Sequence, residues 1–113
     1  MAMHDYIKSD AVNKNINIGN QTKHIRGSHN FDPGRGEIYG ELGDIQGLIN
    51  DHHGTGEIRF DSSGNWINKE FIELNYPVGI YRNIQRDIEY ETYRFSIHYG
   101  KSGAHIVPAG RLE

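Results

Sequence analysis

The chain of 113 residues contains no cysteine. Disulfide staples, thiolate zinc sites and a thiol nucleophile are therefore excluded, and a thiol protease with them. Long apolar runs are missing too. Nothing approaches the roughly 20 consecutive apolar residues that a membrane span needs, and the N-terminus lacks the charged-then-apolar pattern of a leader. The domain itself is expected to be soluble and without a membrane anchor. Positive charge is in deficit, the formal net charge being −3, which does not favour contact with nucleic acid unless the charges are segregated along the chain.

They are segregated. Residues 37 to 75 carry eight acids against Arg59 and Lys69, a local balance of −6, and repel phosphate. Residues 20 to 36 (Lys23, Arg26 and Arg35 against Asp32) and 76 to 111 each balance at +2. A nucleic-acid surface would have to be assembled from those two segments. By charge alone the acidic middle reads as an ordinary solvated face.

The length fits one compact domain. Its bounds are expected at 4–111, with residues 1–3 and 112–113 read as additions outside it. Apolar residues make up 35% of the chain and arrive in short bursts between 14 glycines, a composition of β-rich globular domains rather than disordered ones. Residues 4 to 20 have no clean period and read as a short helix or strand. Residues 27 to 40, with Asp32-Pro33-Gly34, read as a loop. From Glu41 to His53 the residues Leu42, Ile45, Leu48 and Ile49 recur at helical spacing, and Gly54 supplies a left-handed stop. Gly43 and Gly47 weaken that helix by up to about 1 kcal/mol each, so it depends on packing.

Short β-type runs follow at 57–60, 66–74, 78–84, 90–99 and 104–107. In the fourth, Tyr93, Phe95, Ile97 and Tyr99 alternate with Arg94, Ser96 and His98, the pattern of a strand with one buried face and His98 turned away from the core. The expected fold class is α+β, N-terminal helices packed on a four- to five-stranded antiparallel sheet.

Chemistry concentrates near the C-terminus. The segment Gly100-Lys101-Ser102-Gly103 has turn composition between two strands. If Tyr99 stands opposite Ala104, His98 stands opposite His105, and two imidazoles share one patch. Such a pair suits RNA cleavage, because a neutral imidazole can take the 2′-hydroxyl proton while a protonated one serves the leaving 5′-oxygen. Lys101 and Ser102 offer a cation and a hydroxyl for the phosphate, and Lys23, His24 and Arg26 form a second cluster. Taken singly, any of these histidines is more often an ordinary hydrogen-bonded residue.

Other patterns carry less. His52-His53 point in different directions on a helix and lack a partner motif such as HExxH, so they read as a polar helix end. The glycines of residues 34–43 match neither a P-loop nor a dinucleotide fingerprint. Tyr81, Tyr90, Tyr93, Phe95 and Tyr99 are candidates for base stacking but read first as core.

Three segments carry a family resemblance: Gln21-Thr22-Lys23-His24-Ile25-Arg26-Gly27 with Asn30 soon after, the Gly54-Thr55-Gly56 turn, and residues 97–108 with His98, Lys101, Ser102 and His105. On these the chain resembles the polymorphic toxin type 50 family. The resemblance implies a predicted ribonuclease toxin domain with a fold like those of barnase, RelE and colicin-type nucleases. It carries His24, Arg26, His98, Lys101, Ser102 and His105 over as active-site candidates. Departures are Gly100, where serine is expected, and residues 75–91, which bear on substrate choice.

The expected function is a metal-independent, cofactor-free endoribonuclease that leaves a 2′,3′-cyclic phosphate. His105 with His98 or His24 would be acid and base, Lys23, Arg26 and Lys101 would bind phosphate, and Ser102 would donate to it. Delivery as part of a larger secreted or surface protein, action in the target cytoplasm and neutralisation by a cognate immunity protein follow from the same resemblance. The rivals are a DNase toxin, marked by chelator sensitivity, and a non-catalytic module of a phage structural protein, marked by indifference to His105→Ala.

Overall fold

The computed structural model describes residues 2–111; Met1, Leu112 and Glu113, three of the five residues expected to be additions, lie outside the described residues. Met3, read from the sequence as another, starts helix α1 (Met3–Lys8) and packs against the core. Helix α2 (Ile18–Thr22) follows, with the Asn17 side chain accepting from Asn20 N–H at its start. The glycine-rich stretch expected to be loop holds a 3-10 turn (Pro33–Arg35) and the two-residue strand β1 (Glu37–Ile38).

Helix α3 (Leu42–His52) forms where the spacing predicts it. The Asp44 carboxylate accepts from Glu41 N–H (2.9 Å) at its start, and Gly54, at φ 77°, reverses the chain after its end. Ile45 and Ile49 are fully buried in one core cluster with Ile7, Ile38, Ile72, Phe95, Ile97 and Ile106. Burial of this kind stabilises by roughly 1.5–3 kcal/mol per large side chain, enough to offset the two helix glycines Gly43 and Gly47.

The remaining strands are β2 (Glu57–Phe60), β3 (Trp66–Glu73), β4 (Gly79–Asn83), β5 (Ile88–Thr92), β6 (Arg94–Gly100) and β7 (Gly103–Ala109). They form two antiparallel sheets, ordered β1-β4-β5 and β2-β3-β6-β7, where one sheet of four to five strands was expected. The cause lies at Thr92-Tyr93-Arg94, inside what reads as one strand from 90 to 99. The Thr92 hydroxyl donates to Ala109 C=O (2.7 Å) and accepts from Arg94 N–H (3.2 Å), bending the chain so that it leaves one sheet and enters the other. Tyr93 at the bend is 49% exposed rather than buried, and Arg94 and Ser96 are buried rather than solvated.

The outer edge of β7 is closed by the N-terminal segment. Asn17 N–H donates to Ala104 C=O and Ala104 N–H to Asn15 C=O, both at 2.8 Å. Two residues on, the buried Gln21 amide pairs with both backbone groups of Ile106 (3.0 and 2.6 Å). Next along that edge stands Pro108, which has no N–H to satisfy. No row of open donors remains to template another strand.

The Gly54-Thr55-Gly56 turn has an equally local cause. The buried Glu70 carboxylate accepts from Gly54 N–H (3.0 Å), Gly56 N–H (2.8 Å) and the Tyr99 hydroxyl (2.7 Å). A Cβ on Gly56 would overlap the Phe71 carbonyl oxygen. This motif therefore locks α3 to the sheet.

Candidate active site on the sheet face

The hairpin register is the one considered from the sequence: Tyr99 pairs with Ala104 and His98 with His105. On the other side of β6, His98 pairs with Lys69. Neighbours across strands share a face, so Lys69, His98 and His105 form a row. The His98 and His105 rings lie 4.9 Å apart between centroids. One step along the strands stand Phe71, Ser96 and Val107, and Ser96 Oγ shares a hydrogen bond with His98 Nε2 (2.9 Å) that orients the imidazole.

His24 joins from outside the sheet. Gln21 fixes α2 to the β7 edge, and His24, one residue beyond the C-cap Lys23, is held by its carbonyl accepting from Ile38 N–H (2.8 Å). Its ring stacks on His105 with centroids 6.1 Å apart and planes at 16°. It is 3% exposed. The carbonyls of Gly36 and Arg35 lie close enough to favour its charged form, yet no well-formed hydrogen bond results and Nδ1 has no partner.

All three imidazoles are held neutral. Burial lowers the His98 pKa to about 3, helped by the charges of His105, Lys69 and His24. Burial likewise lowers His105 to about 4, with His24, Lys23 and Lys69 acting in the same sense. His24 is lowered chiefly by burial, against which Asp32 acts only weakly. The charges of these imidazoles, Lys23 and Lys69 thus oppose one another while Asp32, itself paired to Arg35, offsets them only weakly at His24, an arrangement that an incoming anion would stabilise. Among the described residues no group of three or more His, Asp or Glu side chains is placed to hold a metal ion.

The other sequence candidates lie elsewhere. Arg26 pairs with Glu37 (2.9 Å) and rests over the Phe31 ring, 5.3 Å from its centroid. Lys101 and Ser102 are exposed at the hairpin tip, where Lys101 lines a cavity beside Tyr99, on the far face of the sheet. The residues that sequence reasoning missed are Lys69 and Ser96. The His98-Ser96 spacing on a strand could have signalled Ser96, since alternate residues share a face. No local signal marks Lys69, whose place depends on pairing with a strand 29 residues away. Farther along the same face, the Arg59 and Arg94 guanidinium groups lie 4.1 and 4.9 Å from the Phe71 ring centroid, with Glu57 paired to both.

Fold and site together define a small α+β domain whose sheet face is suited to an anionic ligand. The chain belongs to the Bacterial toxin 50 family, whose sequence pattern it matches over residues 16–108. That span contains the whole histidine cluster, Lys69 and the Gly54-Thr55-Gly56 turn. A search of curated proteins found no match to the chain. No described helix is long and apolar enough to cross a membrane.

Proposed function

We propose that the chain is the effector domain of a polymorphic toxin and acts as an endoribonuclease that needs no metal. The observation that carries this reading is the meeting of His24, beside Lys23, with His98, His105 and Lys69 over one sheet face, where Asp32 offsets the positive charge only weakly. The four-stranded antiparallel sheet, with Ile45 and Ile49 of α3 in the core beneath it, supports the barnase- and RelE-like reading of the fold.

A phosphodiester entering the row supplies the missing negative charge. It raises the imidazole pKa values, so that one histidine can hold a proton while another remains a base. The neutral imidazole removes the proton from the ribose 2′-hydroxyl as the 2′-oxygen bonds to phosphorus. The bond from phosphorus to the 5′-oxygen breaks, and the imidazolium gives its proton to that oxygen. The products are a 2′,3′-cyclic phosphate and a 5′-hydroxyl. Lys69 and Lys23 offset the charge that builds on the phosphoryl oxygens, and Ser96 positions His98. A cognate immunity protein is the expected partner, and the cytoplasm of the target cell the expected place of action.

Incubation of the domain with total bacterial RNA in chelator, beside His105→Ala, tests the reading. Cyclic-phosphate fragments that fall by about 10²-fold or more in the variant are expected. Cleavage that needs added metal, or survives a 2′-deoxy substitution at the cut site, points to a DNase-type reaction. Intact RNA with both proteins points to a non-catalytic module.

A further inference from the structure

Residues adjacent in a strand point to opposite faces. Behind His98, on the side of Tyr99, lies a cavity of about 500 Å³ beside the β6–β7 hairpin. Its walls are flat and aromatic: the Tyr6 and Trp66 rings meet edge to face 6.3 Å apart, and those of Trp66 and Tyr99 lie 5.7 Å apart. The indole N–H is already engaged, donating to Lys69 C=O (2.9 Å), so Trp66 offers ring surface rather than a donor. Polar groups reach the same space from Asn13, Asn68 and Lys101. Asn13 is held in place by its own bonds to Lys101 C=O and Asn15 N–H. The Asn68 amide and the Lys101 ammonium have no protein partner among the described residues.

Asn68 is also one of two described non-glycine residues with positive φ, at 63°. It sits where the β2–β3 register slips between the Ile58–Glu70 and Phe60–Trp66 pairs. Such a bulge costs energy, and bulges of this kind re-aim side chains beside functional sites. Here it sets Lys69 in the histidine row and the preceding residue, Asn68, at the cavity.

The volume suits a small heterocyclic ligand. Aromatic walls stack any flat ring, amides read a hydrogen-bonding edge, and a lysine attracts phosphate. A purely apolar ligand would leave the amides and the ammonium unused. We infer that this cavity, on the opposite face of the sheet from Lys69, His98 and His105, is a nucleobase subsite for a nucleotide of the RNA flanking the cleaved bond, with Lys101 on that nucleotide's phosphate. The substrate class rests on the ribonuclease reading above. The subsite also accounts for Lys101, which the hairpin directs away from the histidine cluster.

Trp66 is the single tryptophan of the chain, so its emission reports on this cavity whether or not RNA is cut. The full chain is titrated with each of the four nucleoside 3′-monophosphates, with ribose 5-phosphate and with inorganic phosphate, while RNA cleavage is assayed in parallel. The expected result is a saturable change with one or more nucleotides, affinities that differ between bases by about tenfold, and no change with ribose 5-phosphate or phosphate. Asn68→Gly, which relieves rather than adds backbone strain, is expected to shrink the difference between bases. Lys101→Ala is expected to weaken all four nucleotides several-fold, roughly equally. An unresponsive Trp66, or equal responses to nucleotides and ribose 5-phosphate, overturns the subsite. Cleavage with a silent Trp66 removes the subsite alone; a base-selective Trp66 response without cleavage supports the subsite and removes the ribonuclease reading.

Discussion

Lowering the pH from 7 to 5 asks the folded protein to protonate imidazoles that its structure keeps neutral. In the unfolded chain His98 and His105 take up a proton near pH 6.5, whereas in the fold they do so only near pH 3 and 4. Above about pH 6.5 neither state binds these protons and stability is unaffected. As pH falls below that value the unfolded chain gains protons that the fold refuses, so stability declines until the folded values are reached. Two such groups give a slope of up to about 2.7 kcal/mol per pH unit between roughly pH 6 and 5. The row is partly solvated and can relax, so about half that slope is the expected outcome. Glu57, held below the carboxylate range by Arg59, adds its loss only at lower pH. Urea unfolding at pH 7.5, 6.5, 5.5 and 5.0 measures the slope directly. The variant with both His98→Gln and His105→Gln should flatten it, and phosphate, which favours the protonated cluster, should reduce it in the wild type. A wild-type stability that stays level from pH 7 to 5, or a double variant with an unchanged slope, refutes the account of a desolvated cluster lacking its counter-ion.

Three further outcomes follow from named contacts. Lys69→Ala should raise KM for RNA by about tenfold and make the slope of log(kcat/KM) against log salt shallower by about 0.7, as expected for one lost phosphate contact; a change in kcat alone would place Lys69 outside phosphate binding. Glu70→Gln replaces one of the two accepting oxygens by an amide N–H₂, sets it against at least one backbone or hydroxyl donor, and should cost about 2–4 kcal/mol in denaturant unfolding. Gln21→Leu opens the β7 edge at Ile106 and should cost about 1–3 kcal/mol and raise light scattering on mild heating. Stability within about 0.5 kcal/mol of wild type would show that the edge is closed by Asn15 and Asn17 alone.

What the sequence by itself determined are features set by nearby residues. The turn chemistry of residues 100–103 limited the β6–β7 register to a few alignments, because a tight hairpin leaves few ways to align its own strands, and the structure adopts the one that pairs His98 with His105. Helical spacing and a left-handed glycine fixed α3. The absence of cysteine excluded disulfides and a thiol nucleophile. The family resemblance named His24, Arg26, His98, Lys101, Ser102 and His105 together, but it could not say which of them meet.

Only the tertiary structure decided that. Lys69 enters the histidine row through strand pairing across the sheet, and His24 enters because Gln21 docks a distant helix on the β7 edge. Arg26 is drawn to Glu37 instead, and the bend at Thr92 divides one apparent strand between two sheets. Each of these depends on contacts between segments far apart in the chain, whose energies come from burial and from satisfying backbone donors. The low imidazole pKa values have the same origin, since desolvation and mutual repulsion exist only once the three rings have been brought together.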